Sequence, residues 1–196
     1  MSDTRARVLD ATLASLVTNG FSGTTARAIA QAGGFAPGVI YYHFADLDDL
    51  LVAALAHTSE SRVRRYRSEL SGVDKAATAV EVLRRLYEED SAVGHIAAIQ
   101  EFYAGARPGS RLAEQLAVET RHWEELGEEL LTGLLRGRPL ASLVRVKIAA
   151  SAAVAFYIGM ETLTYLDGDR ARPAQLFDQA ARVAAVFDKI PRMPVS

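Results

Sequence analysis

The 196 residues are 49% hydrophobic and 23% charged, a globular balance that excludes a disordered tail or a fibre. With 22 Lys plus Arg against 24 Asp plus Glu, the formal charge is −2, so nothing general advertises a polyanion partner and any nucleic-acid contact has to be local. The absence of cysteine excludes thiol catalysis, thiolate metal sites and disulfides, and makes a reducing cytoplasm the expected location.

Ala, Arg, Leu and Glu dominate and no alternating β-branched runs occur, which predicts an all-α fold of about nine helices. Asp3, Arg5, Arg7 and Asp10 interrupt the N-terminus, so no signal-peptide core is read there. The first helix starts at Ser2, Asp3 or Thr4 and places Leu9, Leu13, Leu16 and Val17 on one stripe. Asn19-Gly20 ends it. A short second helix follows Thr24-Thr25, carries Ile29 and Ala30, and stops at Gly33-Gly34. Pro37 suits the first position of a third helix that reaches about Tyr42, because its missing N–H would be unpaired there anyway. Asp46 then caps a long fourth helix with Leu47, Leu50, Leu51, Ala54 and Leu55 on one face, continuing to about Leu70. Further helices are expected at 75–89, 92–104, 111–135, 140–165 and 173–189, punctuated by Gly109, Gly137, Pro139, Gly168 and Pro173. The most apolar charge-free run, residues 148–160, has 13 residues and falls short of the roughly 20 that span a bilayer, so no membrane partner is expected.

Residues 21–50 hold the chemistry. Two short helices joined by a glycine-bearing turn, after a longer supporting helix, form a helix-turn-helix whose second helix can enter a DNA major groove. The bland alternative is an αα-hairpin inside a bundle. Thr25, at the start of the first of these helices, can offer its hydroxyl and backbone N–H to a phosphate, and Arg27 in the same turn can add a charge. Gly38 leaves room for close approach to the groove, and Ala36, Pro37 and Val39 offer small or apolar surfaces, with Pro37 and Val39 set against thymine methyls. Tyr41, Tyr42 and His43 carry polar tips on apolar bodies, which suits phosphates at the groove edge, while Ile40 and Phe44 are assigned to the core.

These residues resemble the DNA-binding signature of TetR-family transcriptional regulators. Thr24-Thr25-Ala26-Arg27-Ala28-Ile29-Ala30 looks like the family's second helix. The stretch from Gly34-Phe35-Ala36-Pro37-Gly38 through Val39-Ile40-Tyr41-Tyr42-His43-Phe44 looks like its turn and recognition helix, and Leu47, Asp49, Leu50 and Leu51 like the start of its fourth helix. The resemblance implies a helix-turn-helix DNA-binding domain at 1–56 and a helical effector-binding and dimerisation domain at 57–196. It also implies a homodimer on a double-stranded, near-palindromic operator, and repression relieved by a small effector, here of apolar or amphipathic character. One departure stands out: family members often carry Lys just after the position of Phe44, where this chain has Ala45. Residues 1–56 hold three arginines against five aspartates, so all of the net negative charge sits in the reader and a shallow salt dependence is expected.

Later helices supply the rest of the expectations. Ala149, Ala150, Ala152, Ala153, Ala155 and Gly159 allow close helix approach, and Leu176, Ala180, Val183, Ala184 and Phe187 recur at three-to-four spacing, so the last two long helices are expected to pair between subunits. Tyr66, Tyr87, Gln100, Tyr103, Glu119, Trp123, Tyr157 and Glu161 combine aromatic walls with scattered polar groups and are the candidate effector-binding residues. An ordinary core with exposed edges accounts for them equally well.

The arginines 62, 64, 65 and 67 are read as a solvated or salt-bridged helix end, because Arg62 lies about 22 Å along the helix from Leu47 at 1.5 Å per residue. Glu119 and His122 have half of a di-iron spacing without its second half, and no phosphate loop or nucleophile elbow occurs. No metal, no cofactor and no enzymatic activity are therefore expected. The second functional reading is an all-helical small-molecule-binding or interaction protein without effective DNA binding, motivated by the acidic reader.

Overall fold

The computed structural model describes residues 3–192. Among them lie α1 (Asp3–Gly23), α2 (Ala26–Gly33), α3 (Gly38–His43), α4 (Leu47–Leu70), α5 (Ala76–Ala92), α6 (His95–Gly105), α7 (Arg111–Leu135), α8 (Val146–Asp167) and α9 (Ala171–Phe187). A 3-10 turn covers Pro139–Ser142 and no strand occurs among the described residues. The all-α expectation holds.

Local chemistry sets most boundaries. The main run of α1 breaks at Gly20, with φ 70° and ψ 175°, and one further turn follows before Thr24. Thr25 caps α2 from an extended backbone, its hydroxyl oxygen accepting from the Ala28 amide at 3.2 Å. The two glycines ending α2 do different work. Gly34 takes the left-handed conformation, φ 65°, and lets the Phe35 amide reach the Ala30 carbonyl at 3.0 Å. At Gly33 a Cβ would stand 2.0 Å from the Phe35 ring and 2.9 Å from the Ala11 Cβ, so packing demands the missing side chain. Before α4, Asp46 accepts from the Asp49 amide at 2.6 Å and Asp49 accepts from the Ala45 amide at 3.1 Å, a reciprocal cap.

Several boundaries differ from the sequence reading. α5 continues to Ala92, and Gly94, with φ 81°, turns the chain so that α6 starts at His95 instead of 92. α8 starts at Val146 instead of 140, because Pro139–Ser142 winds as a 3-10 turn and Arg145 is extended. α9 begins two residues before Pro173, which its missing N–H permits in a first turn.

The chain forms two compact units. The first runs to Arg62 and also takes in Asp90–Glu119; the second is Val63–Glu89 with the residues from Thr120 onward. In the first unit the predicted stripes of α1 and α4 meet in one core: Leu9, Leu16, Ile29, Ile40, Leu50 and Leu55 are almost wholly buried. Phe102, Ala98, Leu112 and Leu116, all from the second stretch of chain, belong to the same cluster. Burial of a side chain the size of Phe102 contributes about 1.5–3 kcal/mol. Val17 departs from its predicted stripe and is 46% exposed, lying at the rim beside Gly94, where a Cβ would stand 3.2 Å from it. Buried Arg62 pairs with buried Asp90 at 2.6 Å, so this arginine is salt-bridged but not solvated.

In the second unit Leu70, Ala76, Ala79, Leu134 and Ala184 form one apolar cluster and Tyr66, Leu86 and Leu126 another. Buried Arg138 is satisfied by the carbonyls of Leu134, Phe187 and Ile190 and by Asp188, which also accepts from the amides of Ala76 and Ala77 at 2.9 Å. Arg67 binds Glu129 at 2.8 Å.

Candidate nucleic-acid interface

α3 is only six residues long and owes its place to its two ends and one side chain. Ile40 is fully buried and Phe44, just past the helix, nearly so; both serve the core as assigned. Anchoring that face leaves the other one out. Ala36, Pro37 and Gly38 are exposed, Tyr41 is 58% exposed, Tyr42 85%, and Val39 and His43 are half-buried. The Tyr42 ring meets His43 edge-on, with centroids 5.0 Å apart. An aromatic this exposed at a helix end is available to a partner rather than to the core.

Gly38 explains itself by elimination. A Cβ there meets nothing within 4 Å, and its φ lies outside the range that favours glycine. Neither packing within the chain nor backbone geometry needs a glycine at this position.

The α2 end of the same unit brings Thr25 and Arg27 to the surface. One expectation is corrected: the Thr25 amide is not free for a phosphate, since it donates to the Gly23 carbonyl at 3.0 Å. The Thr25 oxygen already accepts from Ala28, which leaves its O–H as the donor, and the helix-start amides that remain are those of Ala26 and Arg27. The other arginines are occupied. Arg5 lies over the Phe44 ring at 5.0 Å and Arg7 donates to the Gly33 carbonyl at 3.3 Å.

The eight candidate effector residues fall into both units. Gln100, Tyr103 and Glu119 belong to the first, where Gln100 and Glu119 are buried and Gln115 donates to Glu119 at 2.5 Å. Tyr66, Tyr87, Trp123, Tyr157 and Glu161 belong to the second. There Tyr66 meets Trp123 edge-on at 5.0 Å and Tyr87 meets Tyr157 edge-on at 6.4 Å. Burial pushes the Tyr87 hydroxyl well above the usual phenol range, with the charge of Glu161 and a hydrogen bond to it adding to the effect. Phe177, which lies 5.4 Å from Tyr87, is not among the sequence candidates, because the α9 stripe is counted through its immediate neighbour Leu176. Among the described residues no group of three or more His, Asp or Glu side chains could hold a metal ion.

α8 and α9 turn apolar side chains outward. Phe156, Leu163 and Leu166 are 60%, 54% and 74% exposed, and Val183 and Val186 of α9 are comparably open. With Ala152 and Gly159, the α8 residues recur at spacings of four, three, four and three, a seam of the kind that packs against another helix. By length and composition α8 is also the one described helix apolar enough to cross a membrane.

Residues 8–54 match the model of the bacterial regulatory proteins of the tetR family. Over 75 residues the chain is 35% identical to the HTH-type transcriptional regulator BetI of Burkholderia thailandensis, covering 37% of this chain and 38% of that protein. The chain thus spans well under half the length of the curated relatives it matches, 27% of BetI from Paraburkholderia phymatum being another case. Across nearly its whole length it shares the fold of a Rhodococcus sp. protein described as a TetR-family transcriptional regulator, with TM-score 0.72, 25% identity, and coverage of 93% of this chain and 99% of that one. The fold is also that of the transcriptional regulator FadR from Bacillus subtilis, solved with stearoyl-CoA, with TM-score 0.73, 14% identity, and coverage of 94% and 97%.

Proposed function

We propose, from the premise that this chain is a TetR-family transcriptional regulator carrying the family's N-terminal domain at residues 8–54, that it represses transcription by binding a near-palindromic operator as a homodimer. Residues 1–56 are the DNA reader, and residues 57–196 serve effector binding and dimerisation. The observation that carries this reading is the outward face of α3, where Pro37, Gly38, Tyr41 and Tyr42 are exposed while Ile40 and Phe44 hold the helix down. Tyr41, Tyr42 and His43 take phosphates beside the groove, joined by Thr25 and Arg27 from α2. Ala36, Pro37 and Val39 face base edges, and Gly38 lets the helix sit close.

The homodimer forms through α8 and α9. The alternative of a lipid-facing α8 is disfavoured by its one-sided seam and by Glu161, whose carboxyl lies within the span and is buried on the opposite side. A near-palindromic operator presents a two-fold dimer with two half-sites about one DNA turn apart.

The effector is a small apolar or amphipathic molecule held in the second unit by Tyr66, Tyr87, Trp123, Tyr157 and Glu161. Aromatic rings supply its walls, and the Tyr87–Glu161 hydrogen bond supplies an orienting polar point. FadR, with its bound stearoyl-CoA, is a precedent for a ligand in a protein of this fold. Release from DNA requires the effector to favour the geometry that does not fit the operator. The expected site of action is the bacterial cytoplasm.

A gel-shift titration on the DNA upstream of its own gene, in a salt series and with the dimer verified, tests the reading. A site-specific shift supports it. No shift at low salt from a verified dimer rejects it in favour of an all-helical small-molecule-binding protein that has lost useful DNA affinity.

A further inference from the structure

The DNA reader is poor in free positive charge. Arg5 and Arg7 are engaged by the Phe44 ring and the Gly33 carbonyl, and Asp46, Asp48 and Asp49 crowd the start of α4. The compact unit that holds the reader also includes Asp90–Glu119, and this second stretch brings two more arginines. Arg111, the first residue of α7, stands 3.6 Å from Asp46 and 3.2 Å from Asp49, so two of the three carboxylates are answered inside the unit. Arg107, in the link between α6 and α7, is exposed and its guanidinium makes no ion pair among the described residues. It lines a groove of about 380 Å³ together with Thr24, Thr25, Leu47 and Asp48. Thr25 belongs to the face assigned to DNA, so the groove is continuous with that face.

We infer that Arg107 binds the DNA backbone phosphate that passes beside Thr25, a contact supplied from outside the helix-turn-helix. The inference rests on the DNA-binding reading above. Charge sets its terms. The Asp48 carboxylate in the same groove repels a phosphate, so the anion is held by the guanidinium, with the Thr25 hydroxyl as a second donor, against one opposing charge. A phosphate contact of this kind fixes register on the duplex without reading sequence. It also explains how a reader with three arginines against five aspartates can hold a polyanion: the missing cation comes from a segment more than 50 residues beyond the recognition helix, as the span from His43 to Arg107 requires.

Fluorescence-anisotropy titrations of the full chain test this on two labelled duplexes, one from upstream of its own gene and one of unrelated sequence, each across a salt series. Arg107→Ala is expected to weaken binding to both duplexes and to reduce the slope of log K against log salt by about 1 per bound protomer. Arg107→Lys restores the slope, and Asp48→Asn tightens binding. An unchanged slope for Arg107→Ala, with melting and circular dichroism like the parent, overturns the inference while leaving the DNA reading intact. So does a loss confined to one duplex, which would make Arg107 a reader of bases. If the parent binds neither duplex, the DNA-binding reading itself falls and this inference with it.

Discussion

The carboxylate of Glu101, on α6, accepts a hydrogen bond from the backbone N–H of Phe21 at 2.6 Å, across 80 residues of sequence. It does so where Gly20 has turned the chain out of helix, so the acceptor replaces a carbonyl that a continuous α1 would have offered. Beside it, a Cβ at Gly105 would stand 2.3 Å from the Phe21 ring. The end of α1 is therefore seated on α6 by one charged hydrogen bond and one ring-on-glycine contact.

Glu101→Ala removes the acceptor and leaves a half-buried amide unanswered, which costs about 1–3 kcal/mol of stability. Glu101→Gln keeps an oxygen in place and is expected to lose less. Urea denaturation of the three proteins checks the order; equal midpoints would mean the contact is idle.

The fate of Gly38 separates packing from binding. Gly38→Ala meets no neighbour within 4 Å, so the melting temperature is expected to hold or rise slightly, while affinity for specific DNA falls as the added methyl enters the groove side. A melting curve with a gel shift on the same preparation decides it. Loss of stability would return this glycine to a structural role.

Roles along α3 divide in the same way. Tyr42→Ala is expected to weaken binding to all duplexes alike, whereas substitutions at Val39 change sequence preference. Selection from a randomised duplex library, run with both variants, distinguishes them, and the reverse pattern refutes the assignment.

The α8 seam predicts a dimer-breaking change. Phe156→Glu or Leu163→Glu places a charge among side chains that are already exposed in the single chain, so each variant should keep its helical circular dichroism. Light scattering after size exclusion is expected to show a monomer. A dimer that survives both substitutions excludes this face as the interface.

Asp188 supplies a pH dependence. Burial alone would raise its carboxyl, but the Ala77 and Ala76 amides and the charge of Arg138 outweigh it and hold the group below the ordinary carboxylate range. A depressed folded-state pKa means that its contribution is present above the unfolded value near 4 and is lost as pH falls through the folded one. Asp188→Asn should therefore be less stable than the parent at neutral pH, with the gap narrowing toward acid. A constant gap across that range would remove the charge from the explanation.

The helix-turn-helix was legible because its determinants are local. The Thr25 and Asp46 caps and the Gly34 turn each depend on neighbours within a few residues, while the core that receives Ile40 and Phe44 also draws on side chains far along the chain. The partners of Glu101 and Arg111 lie 80 and 62 residues away, and no periodicity announces them. The α8 start failed for a similar reason: 140–145 is apolar and helix-tolerant, yet a 3-10 turn and an extended Arg145 take it. Buried Arg138 has the residue type of a surface side chain, and only the carbonyls converging on it reveal its place.

The core that holds the recognition helix is completed by Ala98, Phe102, Leu112 and Leu116, which arrive only after the chain has left and returned. Such a reader cannot be transplanted by exchanging the first 56 residues alone. A chimera built that way would face foreign side chains where Phe102 and Glu101 should seat α1. Residues 90–119 therefore have to travel with the reader, in the laboratory and in any natural recombination that reassigns it to a different effector.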